Sequence, residues 1–453
     1  MYKDHIFREY DIRGVYETDF DTQFAHTLGR AYASFLKDQG CDKLSLTVGY
    51  DARLSSPPIV EALVDGLVSS GAHVYKLGLI TTPMSYFSMF HLDVDGGFMV
   101  TGSHNPPDYN GFKISKGKST IFGEEIQTLK KYIKEERFIS GQGKSEDLDI
   151  SGPYIEKHKK EFGAIKDIGV VLDCGNGAAG SIVRRLYEAV GLKPEILFEK
   201  PDGTFPNHHP DPTVESNMKD LKMAVAEHSA QIGIGFDGDA DRIGIVDENG
   251  RFILGDEIMM MVSRDILSRT PGAKIIGDVK CSDRLYDDIA KHGGQPIMWK
   301  TGHSLIKNKI KAEGAPFGGE LSGHIFFSDR NFGFDDAPYA GLRLIEILAN
   351  TNKSIDELLE GIPKSFNTPE IRLETTEENK VALVQSLQAH FRSATGDFKL
   401  NDIDGIRVSY PDGWALVRSS NTQPVITMRF ESHTQEGLDR IEKSIMDLVN
   451  PLL

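Results

Sequence analysis

The chain has 453 residues, 39% hydrophobic and 26% charged, which is enough for several domains with ordinary cores. Its 67 acidic and 51 basic side chains give a net charge of -16, which argues against nucleic-acid or anionic-membrane partners and makes any local basic cluster informative. Three widely spaced cysteines (Cys41, Cys174, Cys281) form no CxxC pair, no apolar run approaches the ~20 residues of a membrane span, and the start "MYKDHIFREYDIRG" is too polar for a signal peptide. A soluble cytoplasmic protein is expected.

From the N terminus, "LSLTVGY", "PIVEALVDGLVSSG", "HVYKLGLI" and a segment ending in "GGFMV" alternate strand-like and helix-like patterns, a βαβ reading for a first domain over 1–148. A second, 149–251, opens with the strand "DIGVVLDC", continues through the helix "SIVRRLYEAVG" and the strand "KPEILFE", and closes with "AQIGIGFDGDADRIGIVDENGR". A third, 252–364, carries "FILGDEIMMMVSRDILSRT", "AKIIGDV", "QPIMWK" and "APYAGLRLIEILAN". These three read as α/β sheet-and-helix domains. The last, 365–453, differs: "GIRVSYPDGWALVRSS" reads as a hairpin turned at "PDG", "VITMRFES" as a strand and "TQEGLDRIEKSIMDLV" as an amphipathic helix, an α+β module. Pro363 and Pro369 in "GIPKSFNTPEI" mark its linker, a candidate hinge.

Four short stretches carry chemistry. "TGSHNP" (101–106) presents Ser103 after an apolar strand. A serine-hydrolase elbow needs glycine two residues after the serine, where Asn105 stands, and in extended backbone His104 points away from Ser103, so the choice is between a turn and another kind of nucleophile. "DGDADR" (237–242) alternates Asp237, Asp239 and Asp241 with small residues between two strands, so three carboxylates converge, and oxygen ligands of this kind suit Mg²⁺ or Ca²⁺. With Glu248 these residues also fall at calcium-loop positions 1, 3, 5 and 12, but Arg242 stands where glycine is required and the flanks are strands. Magnesium, which leaves room for phosphate oxygens, is therefore preferred. "GGELSGH" (318–324) places Glu320 and Ser322 on one side of an extended segment, a pair suited to neighbouring sugar hydroxyls unless the stretch is only a flexible loop. "RSSNTQP" (418–424) gathers Arg418, Ser420, Asn421 and Thr422 after a strand, a phosphate-binding set or an ordinary turn. A fifth stretch, "DCGNGAAG", is a formal GxGxxG through Gly175, Gly177 and Gly180, with Glu195 and Glu199 downstream, and supplies an NAD-dependent oxidoreductase as the alternative from another class.

Taken in this order, one per domain, "TGSHNP", "DGDADR", "GGELSGH" and "RSSNTQP", with "FREYDIRG" at the start and "DYNGFKI" after the serine, resemble the α-D-phosphohexomutase superfamily, and within it the bacterial phosphomannomutase/phosphoglucomutase family. The resemblance covers essentially the whole chain. It implies four domains around a central cleft, and reversible phosphoryl transfer between C6 and C1 of mannose and glucose phosphates through a hexose 1,6-bisphosphate, feeding nucleotide-sugar synthesis. Carried over by motif, Ser103 is the phosphoserine and, with Asp237, Asp239 and Asp241, a ligand of Mg²⁺. Arg13, Lys113 and Arg242 offset the surplus negative charge, and Lys113 and His324 match the family's proton handlers. Glu320 and Ser322 read sugar hydroxyls, Arg418, Ser420, Asn421 and Thr422 grip the phosphate that is not reacting, and Tyr10, Lys280 and His303 line the cleft. Hexose bisphosphate is the expected primer and a phosphosugar the expected partner, with a monomer expected and a dimer as the alternative. Phosphoglucosamine mutases, which carry glutamine where Leu321 stands and lack "FREYDIRG", are the nearest alternative within the superfamily.

Overall fold

Short β-rich runs ended by glycine, asparagine or aspartate form the strands of four sheets, and the polar clusters after them become the loops that carry the motifs. The computed structural model describes residues 2–420 and 425–452, apart from the side chain of residue 377. Asn421 and Thr422, both expected at the phosphate site, lie outside the described residues.

In the first sheet, Ser45–Tyr50 runs parallel to both His73–Leu79 and Gly96–Val100. Tyr109–Lys116 returns antiparallel beside Gly96–Val100 and pairs in turn with Ile12–Val15. Gly96–Val100 is buried along its whole length, as expected of a strand covered by helices on both faces. Its register sets Met99 opposite Lys113, which brings that lysine to the end where the serine loop begins. The second sheet holds Val170–Asp173 and Ile232–Phe236 in parallel, with Ile243–Asp247 antiparallel to the latter. Phe236 pairs with Ile243 and Ile232 with Asp247, so residues 237–242 are the connection of a hairpin and Glu248 sits at its opposite end. The calcium-loop reading fails on this register. In the third sheet Lys274–Asp278 is parallel to Gln295–Trp299 and Phe317–Gly319, with Ile325–Phe327 antiparallel at the edge.

The fourth sheet is antiparallel throughout. Ile406–Tyr410 and Gly413–Ser419 form the expected hairpin, closed by Pro411 and Asp412, since Tyr410 pairs with Gly413. Helix Gln435–Val449 starts where Thr434 Oγ1 accepts from Gly437 N at 3.0 Å. Within the expected linker, Phe366–Asn367 is a short strand paired to Ser432 and Glu431, so part of that stretch is already sheet.

The cores divide unequally. The second and third α/β units share one apolar cluster, which also takes in Met84, Phe87 and Met99 of the first: helix Ala337–Thr351 packs across both sheets, Tyr187 Oη donates to Pro338 O at 3.1 Å, and Tyr154 Oη to Asp336 Oδ1 at 2.8 Å. The C-terminal module keeps its own core and meets the third unit through a small patch of Val279, Trp414 and Leu416. Arg407 lies over the Trp414 ring at 3.7 Å and donates to the carbonyls of Val279 and Cys281. Around that apolar patch the joint is closed by charged hydrogen bonds, among them Arg407 to Asp283 at 2.7 Å and Ser282 Oγ to Glu431 at 2.6 Å. Among the described residues no helix is long and apolar enough to cross a membrane.

His158 is fully buried on helix Ser151–Phe162, with Nδ1 2.7 Å from Tyr154 O. Burial, aided by Lys157, pushes its imidazole down to about 3, against 6.5 in an open chain. Between those values the unfolded chain binds a proton that the folded chain refuses, so stability is full above about 6.5 and is lost as pH falls toward 3. His158→Phe is expected to flatten that loss, read as the dependence of Tm on pH between about 7 and 4.

Candidate active site

Ser103 sits just past the end of the buried strand, 2% exposed, in the left-handed region at φ 50°. That conformation costs a non-glycine residue about 1–3 kcal/mol and persists only where the surroundings impose it. Here they do. Arg53, itself buried, donates to the carbonyls of Ser103 at 2.8 Å, Asn105 at 2.6 Å, Tyr109 at 2.9 Å and Pro106. Asp51 pairs with Arg53 at 3.1 Å and accepts from Thr101 Oγ1 at 2.8 Å and Gly102 N at 3.1 Å. Neither Arg53 nor Asp51 stands out in the sequence. Their only local signal is a charged pair at the end of a buried strand, where an unpaired charge would be untenable.

The left-handed turn also corrects the expectation about His104. Neighbouring side chains diverge in extended backbone, but at this φ the ring swings round and its Nδ1 lies 3.2 Å from Ser103 Oγ. Burial, followed by Arg242 and Arg13, lowers the His104 imidazole far below its usual range. It stays neutral.

Ser103 Oγ donates to Asp237 Oδ2 at 3.0 Å, across the boundary between the first and second units. Asp237, Asp239 and Asp241 are wholly buried, with ligand oxygens within 4.8 Å of one another. Asp237 Oδ1 accepts from the amides of Asp241 and Arg242 at 3.0 and 3.1 Å. Lys113 Nζ donates to Asp239 Oδ2 at 2.8 Å and to Asp241 Oδ2, and Thr82 Oγ1 to Asp239 Oδ2 at 2.6 Å. Burial and the two neighbouring carboxylates push Asp237 up, whereas at Asp239 the raising effect of burial is overcome by Lys113 and Thr82. Asp239 Oδ1 and Asp241 Oδ1 are buried with no hydrogen-bond partner among the described residues. Buried carboxylate oxygens left in this way fit a hard divalent cation.

The 237–242 loop is seated by the glycine motif. A Cβ on Gly177 would meet Gly238 O at 2.8 Å, one on Gly180 would strike Glu199 O, and Ala178 N donates to Gly238 O at 2.9 Å. The contact a dinucleotide would need is taken by the 237–242 loop, so the oxidoreductase alternative loses its site and the motif serves packing instead.

Arg13 donates to Asn105 Oδ1 at 2.8 Å and pairs with Asp11 at 2.5 Å, at the edge of the serine loop. Arg242 Nε donates to His324 Nε2 at 3.0 Å, which ties the metal loop to the third unit, and His324 Nδ1 lies 3.0 Å from Asp335 Oδ2. The His324 ring stacks on that of His303 at 5.5 Å, and His303 meets Tyr10 edge-on at 5.9 Å. Glu320, 2% exposed, accepts from Gly302 N and lies 3.5 Å from Ser322 Oγ, and burial raises its carboxyl. Lys280 Nζ reaches Glu370 Oε2 at 3.4 Å. Arg418 Nε donates to Asp404 Oδ2 at 3.1 Å, and Ser420 O accepts from Lys380 Nζ at 2.8 Å. The described residues expected at the site thus form two connected groups, one around Ser103 and one around Glu320 and Arg418, bridged by the His324, His303 and Tyr10 rings.

Comparison with known proteins agrees with the four-domain fold. Family models described as phosphoglucomutase/phosphomannomutase match in four consecutive pieces: α/β/α domain I at 4–140, domain II at 152–250, domain III at 254–366 and the C-terminal domain at 370–448. The phosphomannomutase/phosphoglucomutase of Pseudomonas syringae pv. tomato is 46% identical over 97% of this chain and 94% of its own length. The phosphoglucomutase of Neisseria gonorrhoeae is 43% identical over 99% and 98%. A crystal structure of a phosphoglucomutase/phosphomannomutase family protein from Burkholderia thailandensis superposes with a TM-score of 0.93 at 42% identity, covering 100% of this chain and 98% of the other. Matched by all four domain models in order, and along nearly its whole length by relatives of this identity, the chain belongs to the phosphoglucomutase/phosphomannomutase family.

Proposed function

We propose that this hexose phosphate mutase works through a phosphorylated Ser103, interconverting the 6- and 1-phosphates of mannose and glucose by way of a hexose 1,6-bisphosphate. The observation that carries the reading is the 3.0 Å contact of Ser103 Oγ with Asp237, inside a cluster of three buried carboxylates of which two oxygens accept no hydrogen bond among the described residues. Asp237, Asp239, Asp241 and an oxygen on Ser103 would hold Mg²⁺, which when bound supplies Lewis-acid stabilisation of the phosphoryl group.

In the first half-reaction the Ser103 Oγ–P bond breaks, a new P–O bond forms to the free sugar hydroxyl, that hydroxyl loses its proton, and Oγ regains one. In the second, the bisphosphate presents its other end, the P–O bond to the sugar breaks as Ser103 Oγ gives up its proton and takes that phosphoryl group, and the sugar oxygen left behind is protonated. Lys113, Arg13 and Arg242 offset the charge of the phosphoryl group, the larger part of catalysis in phosphoryl transfer. His324 is the proposed proton handler; Lys113, expected to share that role, is held as a cation by Asp239 and Asp241 and acts through its charge. Neutral His104 keeps a ring nitrogen at Ser103 Oγ and orients it. Glu320 and Ser322 read sugar hydroxyls, Lys280, His303 and Tyr10 line the cleft, and Arg418 with Ser420 holds the distal phosphate. The C-terminal module keeps its own core, so it can move as a unit while the bisphosphate turns.

The chain carries every proposed site residue, so a monomer suffices, and cysteines left unpaired among the described residues suit a reducing cytoplasm. A coupled assay on mannose, glucose and glucosamine 1-phosphates tests the assignment. Turnover of the first two is expected to exceed that of the third by about 10-fold or more. A preference for glucosamine 1-phosphate would move the enzyme to the phosphoglucosamine branch.

A further inference from the structure

Asp404 lies in the loop between strands Lys399–Asn401 and Ile406–Tyr410 of the C-terminal module, with its side chain 13% exposed. One oxygen, Oδ2, accepts twice: from Arg418 Nε at 3.1 Å within the module, and from Thr301 N at 3.0 Å across the cleft in the third unit. Thr301 is a crossing point. Its carbonyl accepts from Tyr10 Oη of the first unit at 2.9 Å, its Oγ1 donates to Asp278 Oδ2 at 3.0 Å, and the next amide, Gly302 N, donates to Glu320 Oε1. Three domains therefore meet at Thr301, and the C-terminal module enters through Asp404.

A carboxylate next to a phosphate-binding arginine repels the dianion that the arginine is there to hold, so simple affinity does not account for it. Geometry does. Holding the guanidinium by Nε fixes its plane, and a planar fork fixed at one edge presents its terminal nitrogens in a set direction. Sharing the same oxygen with Thr301 N–H makes that direction depend on the loop that holds Glu320.

We propose that Asp404 is a positioning residue that couples phosphate capture by Arg418 to sugar reading by Glu320, through Thr301 and Gly302. The proposal rests on the roles given above to Arg418 and Glu320. Asp404 touches no reacting atom in this scheme. It makes closure of the C-terminal module and orientation of the sugar a single event, so a ligand that satisfies only one of the two contacts closes the cleft poorly.

The test is a double-mutant cycle in the full-length enzyme on kcat/KM for glucose 1-phosphate, with Asp404→Ala and Glu320→Gln singly and together, and Arg418→Ala as a reference. Asp404→Ala is expected to raise KM about 10-fold with a smaller change in kcat, and its effect is expected to shrink at least about 5-fold when Glu320 is already changed. Asp404→Asn keeps an acceptor for Thr301 N–H and is expected to recover most of the coupling, which a merely structural role would not produce. It also serves if the alanine variant fails to fold. Additive effects in the cycle, or kcat/KM unchanged in Asp404→Ala, overturn the proposal. If instead Glu320→Gln and Arg418→Ala leave KM unchanged, the parent assignment of those two residues is what fails.

Discussion

Ser103→Ala is expected to lower mutase turnover by about 1,000-fold or more, with hexose bisphosphate primer present, while leaving the fold intact. The reason lies in how the loop is held. Arg53 and Asp51 grip it through the carbonyls of Ser103, Asn105 and Tyr109, the amide of Gly102 and the hydroxyl of Thr101, and none of these contacts uses Ser103 Oγ. Alanine also tolerates φ 50° no worse than serine does, so the stability lost is that of one donor to the buried Asp237 Oδ2, about 1–3 kcal/mol. What disappears is the oxygen 3.0 Å from Asp237. Intact-protein mass should show a fraction of the wild type carrying one extra phosphate and none of the variant. Full turnover in Ser103→Ala would rule out the phosphoserine route.

Arg53→Met separates scaffold from nucleophile. It keeps Oγ but removes the donor to four carbonyls, leaving buried acceptors without partners, each costing about 1–3 kcal/mol. Both Tm and the phosphorylated fraction are expected to fall, with a loss of Tm well beyond that of Ser103→Ala, which removes a single donor.

Much of this site is visible in the sequence because its parts are local. Each motif sits at the end of a strand whose apolar pattern announces it, and the hairpin around Pro411 and Asp412 is written in its turn residues. What escapes is whatever depends on distant partners. Arg53 and Asp404 resemble any charged loop residue until the chain brings carbonyls or an amide from another region to them. The shared core of the second and third units is likewise invisible, because helix Ala337–Thr351 has an apolar face that does not say which sheet it covers. The two misleading signals fail for related reasons. The GxGxxG motif satisfies every local requirement of a nucleotide turn, but the space above it is filled by Gly238. The His104 expectation assumed extended backbone, whereas Arg53 and Asp51, at the end of the neighbouring strand Ser45–Tyr50, impose a left-handed turn at Ser103.

The balance of charge at the metal loop makes the second large prediction. Lys113 is 4% exposed and sits on Asp239 and Asp241, the two carboxylates with unpartnered oxygens. Attraction to those two outweighs the cost of burying its ammonium, so its pKa is raised and it remains a fixed cation rather than a proton acceptor of ordinary strength. Lys113→Met preserves volume and reach, removes the charge, and leaves buried carboxylates uncompensated. Without divalent cation the variant is expected to be destabilised by about 3–5 kcal/mol. Added Mg²⁺ should restore part of that, so Tm should depend on Mg²⁺ more steeply in the variant than in the wild type, whose lysine already offsets the cluster. Turnover should remain about 100- to 1,000-fold low even at saturating Mg²⁺, because the same ammonium is needed against the charge of the phosphoryl group. Titrating Mg²⁺ against Tm and against turnover separates the two roles. If stability and activity both returned to wild type at high Mg²⁺, Lys113 would be a structural counter-ion only, and charge stabilisation at the phosphoryl group would fall to Arg13 and Arg242.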